Sequence, residues 1–244
     1  MLTRPDMSTD TIRLSKLVAQ QFSCSRAEAE HYIEGGWVKV GDAIIEDPGH
    51  RVSPLAQAEL LPGAVCTPAE PVTILLHKLP GVAAEAALRQ ISEESRSADD
   101  RSGIRLLKRH LSKPGLPAPL EDAASGLIVA SEDWRVIRKL TEDPLRIEHE
   151  MIADVSGDLA ADGLQQLNQG LVFKGKALPP MKVSWQNETR LRFAVKGLQP
   201  GLIQHACAQV GLEVSALRRI RIGRISMAGL KPGQWRFLQP HERF

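Results

Sequence analysis

The sequence predicts an α+β protein in two parts, a small helix, helix, hairpin unit followed by a larger mixed domain. Three observations carry this. Within residues 11–45 apolar side chains recur at helical spacing and then alternate at strand spacing. A break from Pro62 to Pro71 holds three prolines and a glycine, the composition of a linker. Beyond it, short apolar runs of strand length are separated by helical stretches. The expected organisation is a flexible tail over residues 1–10, a first domain over 11–68 and a second over 69–244.

Leu14, Leu17 and Val18 mark a first helix that pauses at Phe22-Ser23-Cys24. Ser25 with Glu28 is a capping box opening a second helix, whose buried stripe is Ala29, Tyr32 and Ile33. Gly35-Gly36 ends it, and Trp37 to Ile45 reads as a β-hairpin turning at Gly41-Asp42. After the linker, residues 72–76 suit a buried strand and Ala83 to Ile91 a helix. Residues 92–103, polar and without periodicity, read as disordered. Leu127 to Ala130 is a strand, Ser131 is positioned to cap a helix carrying Val136, Ile137 and Leu140, and Ile147 to Val155 is a strand. Leu164 and Leu167 mark a helix, Leu191 to Val195 a strand, and Pro200 to Val210 a helix opened by proline and closed by Gly211. Ile220, Ile222 and Ile225 alternate with polar residues, and Trp235 to Leu238 completes the strand pattern.

At 244 residues, 43% hydrophobic and 25% charged, the chain is of globular composition. It contains no uncharged apolar run of membrane-spanning length and no secretion signal, so a cytoplasmic location away from membranes is expected. Three widely spaced cysteines suggest neither a disulfide framework nor a metal site. Phosphate-loop, dinucleotide and zinc-helix signatures are missing. The net charge of +2 is unevenly spread, with −4 over residues 1–70, −2 over 71–189 and +8 over 190–244. A basic last quarter points to a polyanion such as RNA.

Two stretches carry a resemblance. Arg13-Leu14-Ser15-Lys16-Leu17, Ser25-Arg26-Ala27-Glu28-Ala29, Tyr32 to Gly36 and Val38 to Gly41 resemble the small RNA-binding domain named after ribosomal small-subunit protein four. Its binding face, by that resemblance, is Arg13, Lys16, Ser25, Arg26 and Lys39. Leu76 to Gly81, Ser125 to Val129, Leu217 to Gly223 and Leu230 to Arg236 resemble the catalytic domain of RNA pseudouridine synthases of the ribosomal small-subunit and large-subunit type. The resemblance implies a mainly antiparallel sheet and an isomerase that detaches uracil, turns it and rejoins it through carbon, with neither cofactor nor metal. It also implies an RNA partner, expected to be ribosomal, with no small-molecule cofactor, for a protein expected to be monomeric. Arg218, Arg219, Arg221 and Arg224 are the expected RNA contacts in the closing strands, where plain alternation puts Arg219 with Arg221 on one face and Arg218 with Arg224 on the other.

The family's reaction depends on an aspartate, an arginine that keeps it ionised and a tyrosine packed on the base. A carboxylate suits attack at an oxocarbenium-like sugar carbon, and a paired cation keeps it deprotonated in a cleft. Here Glu121 stands where the aspartate is expected, with Asp122 next to it as the alternative. Pro119 replaces the arginine of the Arg-Leu-Asp run, Met151 the tyrosine, and the helix that carries arginines in the family reads Pro200 to His205, placing Gln204 and His205 in the cleft and leaving no arginine to pair the carboxylate. Lys78, Arg105 and Arg109 are candidate substitutes for that cation. Misplacing a reacting group by about 1 Å costs about a hundredfold. The expectation is therefore an RNA-binding protein with the synthase fold and degenerate chemistry. Its alternatives are an active synthase using Glu121 or Asp122, and a hydrolase using both as an acid/base pair. Adjacent carboxylates on an extended segment point apart, which counts against the last.

Overall fold

The computed structural model describes residues 11–170, 172–177 and 179–244; the tail expected over residues 1–10 lies outside them. The chain divides into two compact units, one running up to Glu70 and including Leu107–Ser112, the other comprising Pro71–Leu106 and Lys113–Phe244.

In the first unit, β1 (Ile12–Arg13) leads into α1 (Leu14–Gln21), followed by α2 (Arg26–Glu34), β2 (Val38–Val40), β3 (Ala43–Ile45), β4 (Arg51–Val52) and β5 (Ala58–Leu60). The capping box at the start of α2 is present. Glu28 N donates to Ser25 Oγ at 3.2 Å and Ser25 N to the Glu28 carboxylate at 2.8 Å. β2 and β3 pair from Val38↔Ile45 to Val40↔Ala43 around the Gly41-Asp42 turn, and β5 adds to the free edge of β2. Leu14, Leu17, Val18, Ala29, Ile33 and Val38 form the buried core, so the helical stripe and the hairpin meet as their periodicity requires.

The second unit is built on an eight-stranded sheet. Its elements are β6 (Thr73–Lys78), α3 (Ala84–Leu88), β7 (Ser125–Ser131), α5 (Trp134–Glu142), β8 (Glu148–Gly157), α6 (Gly163–Gln169), β11 (Lys182–Asn187), β12 (Arg190–Lys196), α7 (Leu202–Gln209), β13 (Leu212–Ile222), β14 (Ile225–Ser226) and β15 (Trp235–Phe237). α4 (Lys108–Ser112) groups with the first unit, and β9 (Val172–Phe173) with β10 (Lys176–Ala177) forms a separate ribbon. The strand order is β11-β12-β8-β13-β7-β6-β15, with β14 on β13. Every pairing in it is antiparallel except β13 with β7. This is the α+β class expected, a mixed and mainly antiparallel sheet after a helix and hairpin unit.

Several local expectations need correcting. Residues 92–103 are ordered by polar contacts rather than apolar periodicity. Arg96 donates to Asp100 at 3.0 Å, to Ser102 Oγ at 3.2 Å and to Ile104 O at 2.7 Å. Its guanidinium also lies 5.3 and 5.2 Å from the ring centroids of Trp235 and Phe237. The cap of α5 is Asp133, whose carboxylate accepts from Arg135 N at 2.9 Å. Ser131 sits two residues back and accepts from Asp133 N. α7 begins after Gly201, not at Pro200, because the chain first turns through a left-handed conformation, φ 85°, that only glycine adopts at little cost.

Candidate functional site

Glu121 is carried on the loop before β7. That loop is held from two sides by buried cations. Arg219, on β13, is fully buried, and its guanidinium donates to Leu127 O at 2.6 Å, Ala118 O at 2.8 Å and Pro119 O at 3.1 Å. Lys78, at the end of β6, is equally buried. Its ammonium reaches the carbonyls of Leu79, Val82, Asp122 and Ala124 at 2.5 to 3.0 Å. Burial lowers the Lys78 pKa, opposed by the charges of Asp122 and Glu121. β7 and β13 approach so closely that a Cβ on Gly126 would lie 2.2 Å from Arg219 O, which explains the glycine of Ser-Gly-Leu in physical terms.

The Glu121 carboxylate accepts a hydrogen bond from Gly201 N at 2.7 Å. Gly201 is the N-cap residue of α7 and has no capping side chain of its own. Glu121 therefore supplies the cap from a distant segment, placing negative charge at the positive end of the helix. A carboxylate released to attack a sugar would leave that N–H without its partner, a loss of about 1.5–3 kcal/mol for a bond to a charged group.

No arginine is expected to pair the carboxylate, and Arg219 of β13 is the arginine whose charge reaches it. Arg219 is close enough for Glu121 to support its ionisation against the effect of burial. Its three hydrogen bonds nevertheless go to carbonyls, and among the described residues no ion pair joins it to Glu121. Lys78 is likewise committed to backbone oxygens. Asp122 is exposed, its carbonyl accepting from Gly81 N and Lys78. Arg105 is exposed in the second unit, and Arg109 lies in α4 with the first.

Met151, in the place of the tyrosine, is on β8 opposite Arg219 and Phe193 and has no exposed surface. A tyrosine there would overpack, at about 1–3 kcal/mol. Gln204 is half-buried on α7 with its Oε1 buried and without a partner, while His205 is exposed, its ring 5.3 Å from that of Phe173. His149, two residues before Met151, is buried with Nδ1 unpartnered. Burial, and then the charges of Arg219 and Arg221, pull it down to about 3. The centre is thus packed and wired to backbone groups. Among the described residues no three His, Cys, Asp or Glu side chains form a cluster that could hold a metal ion.

The first unit offers a different arrangement. Arg13, Lys16, Arg26 and Arg51 line an open groove of about 590 Å³ together with Ser15 and Gln20. Arg13 and Arg51 face each other across the β1-β4 pair, and Arg26 reaches Glu30 at 3.0 Å. Three of the four groove cations were named from the sequence. Arg51 was missed because only the β1-β4 register brings it beside Arg13. Ser25 spends its oxygen on the helix cap, and Lys39, on β2, lies 3.8 Å from Asp42 outside the groove lining.

The arginines of β13 divide. A bulge at Ile220 shifts the register between Arg219 and Arg221, opposing them to Met151 and Glu150, which lie on opposite faces of β8. Arg219 and Arg221 therefore do not share a face, contrary to plain alternation. Arg219 is buried, and Arg221 binds Glu150 at 2.7 Å, Glu148 at 2.6 Å and Gly223 O at 2.6 Å. Arg218 and Arg224 are exposed. On the face of Arg218, β12 adds Arg190, Arg192 and Lys196, and β11 adds Lys182. The period-two pattern Arg190-Leu191-Arg192-Phe193 was the legible signal for those.

Comparison with known proteins fits this layout. Residues 12–55 match the S4 domain family. The chain is 24% identical to an uncharacterized RNA pseudouridine synthase of Aquifex aeolicus (strain VF5), covering 95% of this chain and 94% of that protein. It is 25% identical to ribosomal large subunit pseudouridine synthase B of Bacillus subtilis (strain 168), covering 94% and 93%. It is also 26% identical to the dual-specificity RNA pseudouridine synthase RluF of Escherichia coli (strain K12), covering 98% and 78%. A crystal structure of a pseudouridylate synthase superposes with TM-score 0.59 at 16% identity, over 93% of this chain and 96% of that one. The chain is thus similar in sequence and fold to the RNA pseudouridine synthase superfamily and carries an S4-like domain at its N-terminal end. Among the described residues no helix is long and apolar enough to cross a membrane.

Proposed function

We propose that this protein is an RNA-binding factor that keeps the pseudouridine synthase fold but has given up the isomerisation, and that it acts on structured ribosomal RNA. The observation that carries the reading is the hydrogen bond from Gly201 N to Glu121 at 2.7 Å. The carboxylate at the reaction's position caps a helix instead of standing free beside a cation. Two further features support it. Arg219 is spent on three carbonyls, and Met151 presents no surface on which a base could rest. The open basic groove of the first unit needs none of this geometry to hold phosphates.

A second reading, an active synthase using Glu121, draws on the electrostatic reach between Arg219 and Glu121. One assay separates the two. Ribosomal RNA from cells lacking the protein is incubated with it, and pseudouridine is mapped by chemical sequencing. The proposal expects no new site and RNA affinity unaltered in Glu121→Gln. A new pseudouridine that disappears in Glu121→Gln would establish the active reading.

A further inference from the structure

The sheet face shared by β11, β12, β8 and β13 arranges its charges in layers. Direct pairings put Arg190, Arg192 and Lys196 of β12 opposite Asp154, Ile152 and Glu148 of β8, and Arg218 and Arg221 of β13 opposite Ile152 and Glu150. Glu148, Glu150 and Asp154 occupy the central strand and the cations the strands on either side, where β13 also carries the exposed Glu213 opposite Ser156. Arg192 is 55% exposed over a Glu150 that is 5% exposed, bonded to it through Nε, whereas Arg190 and Asp154, also bonded, are comparably exposed, as are Arg221 and Glu148. Glu148 is held below the usual carboxylate range, chiefly by its hydrogen bond from Arg221 and also by the charges of Lys182 and Lys196. The face carries Lys182, Arg190, Arg192, Lys196, Arg218 and Arg221 against Glu148, Glu150, Asp154 and Glu213, and is net basic.

Among the described residues Lys182, Lys196 and Arg218 form no ion pair, although the charges of Lys182 and Lys196 act on Glu148. Between the two basic rows, roughly 10 Å apart by two strand spacings, lies a concavity of about 100 Å³. It is lined by Arg190, Arg218, Ser125, Asp154, Ile152 and Leu217. Arg218, the Ser125 hydroxyl and Arg190, the last already bonded to Asp154, are the donors such a space offers one phosphate group, with the Asp154 carboxylate opposing it.

We propose that this face is a second RNA-backbone surface, separate from the groove of the first unit and from the Glu121 centre, with a phosphate seated between Arg190 and Arg218. It rests on the reading of the protein as an RNA binder and adds where the second domain holds its RNA. Charge favours a nucleic acid because the cations of these rows outnumber the acids among them, which attracts a polyanion along the face. An acidic protein is the competing occupant.

The test uses the full chain and leaves the ion pairs intact. Lys182→Gln/Lys196→Gln/Arg218→Gln is compared with Arg13→Gln/Lys16→Gln/Arg26→Gln and with wild type. A ribosomal RNA fragment is the ligand, and the slope of log affinity against log salt is the readout. Each lost phosphate contact should flatten that slope by about 0.7–0.9. The sheet triple is expected to flatten it by about 2, independently of the groove triple. A wild type with no salt-dependent RNA affinity would overturn both this proposal and the RNA reading. A slope changed only in the groove triple would overturn this proposal alone. So would a sheet triple that loses affinity for polyglutamate while keeping the wild-type RNA slope.

Discussion

The groove of the first unit and the packed centre of the second use the same kinds of side chain to opposite ends. Arg13, Lys16, Arg26 and Arg51 line open space, whereas Arg219 and Lys78 are buried and bind between them seven backbone carbonyls. An exposed cation can meet a phosphate over a range of positions, since the attraction is long-ranged and only weakly directional. A reacting carboxylate cannot move by even about 1 Å without a large loss. Substitution can therefore end catalysis in a fold while leaving its affinity for RNA in place. On the proposed reading Glu121 is such a case, its carboxylate accepting from Gly201 N at the start of α7.

The contrast is most easily broken at neighbouring arginines. Arg219→Met should destabilise the second domain by about 3–5 kcal/mol, because a buried, fully bonded charge is lost and carbonyls are left unpaired. Arg218→Gln, one residue away and exposed, should stay within about 0.5 kcal/mol. Urea unfolding of both variants measures this, and equal losses would mean that Arg219 is not the clamp of the Glu121 loop.

Proton linkage at His149 comes next. Its pKa is pulled from 6.5 to about 3 in the folded state, so between those values the unfolded chain holds a proton that the folded one lacks. Stability contributed by neutral His149 is complete above about pH 6.5 and is lost as the pH falls toward 3. His149→Leu should reduce the slope of unfolding free energy against pH in that window by up to about 1.4 kcal/mol per unit. Unfolding curves at stepped pH that keep the wild-type slope in the variant would refute this.

Glu121→Ala should cost about 1–2 kcal/mol, the worth of a helix cap with its charge, and Glu121→Gln less. Hydrogen exchange at the first turn of α7 localises the effect, and unchanged protection there would remove the capping role. The smallest effect belongs to the groove. Arg51→Gln should leave stability within about 0.5 kcal/mol and flatten the salt dependence of RNA affinity by about 0.7–0.9. A slope equal to that of wild type would take Arg51 out of the binding face.

Local chemistry was readable from the chain alone. The capping box at Ser25 and Glu28, the Gly41-Asp42 hairpin, the buried stripe of Leu14, Leu17 and Val18, and the order of a small unit before a mixed domain all depend on residues near one another in sequence. So did three of the four groove cations, because α1 and α2 are contiguous. Residues 92–103 were misread since their order comes from Arg96, Asp100, Trp235 and Phe237, polar and distant partners that leave no periodic trace.

The sequence placed the carboxylate of Glu121, with Asp122 as the alternative, before Ser125-Gly126-Leu127, and Met151 where the resemblance implies a tyrosine. What that carboxylate does was decided by the tertiary structure, through contacts spanning 80 residues to Gly201 and about 100 from Arg219 to Ala118 and Pro119. The same holds for the β13 arginines, whose faces are reversed by one bulged residue at Ile220. Spacing specifies direction only while the ladder is regular, and burial and partners are properties of chain crossings that no local pattern encodes.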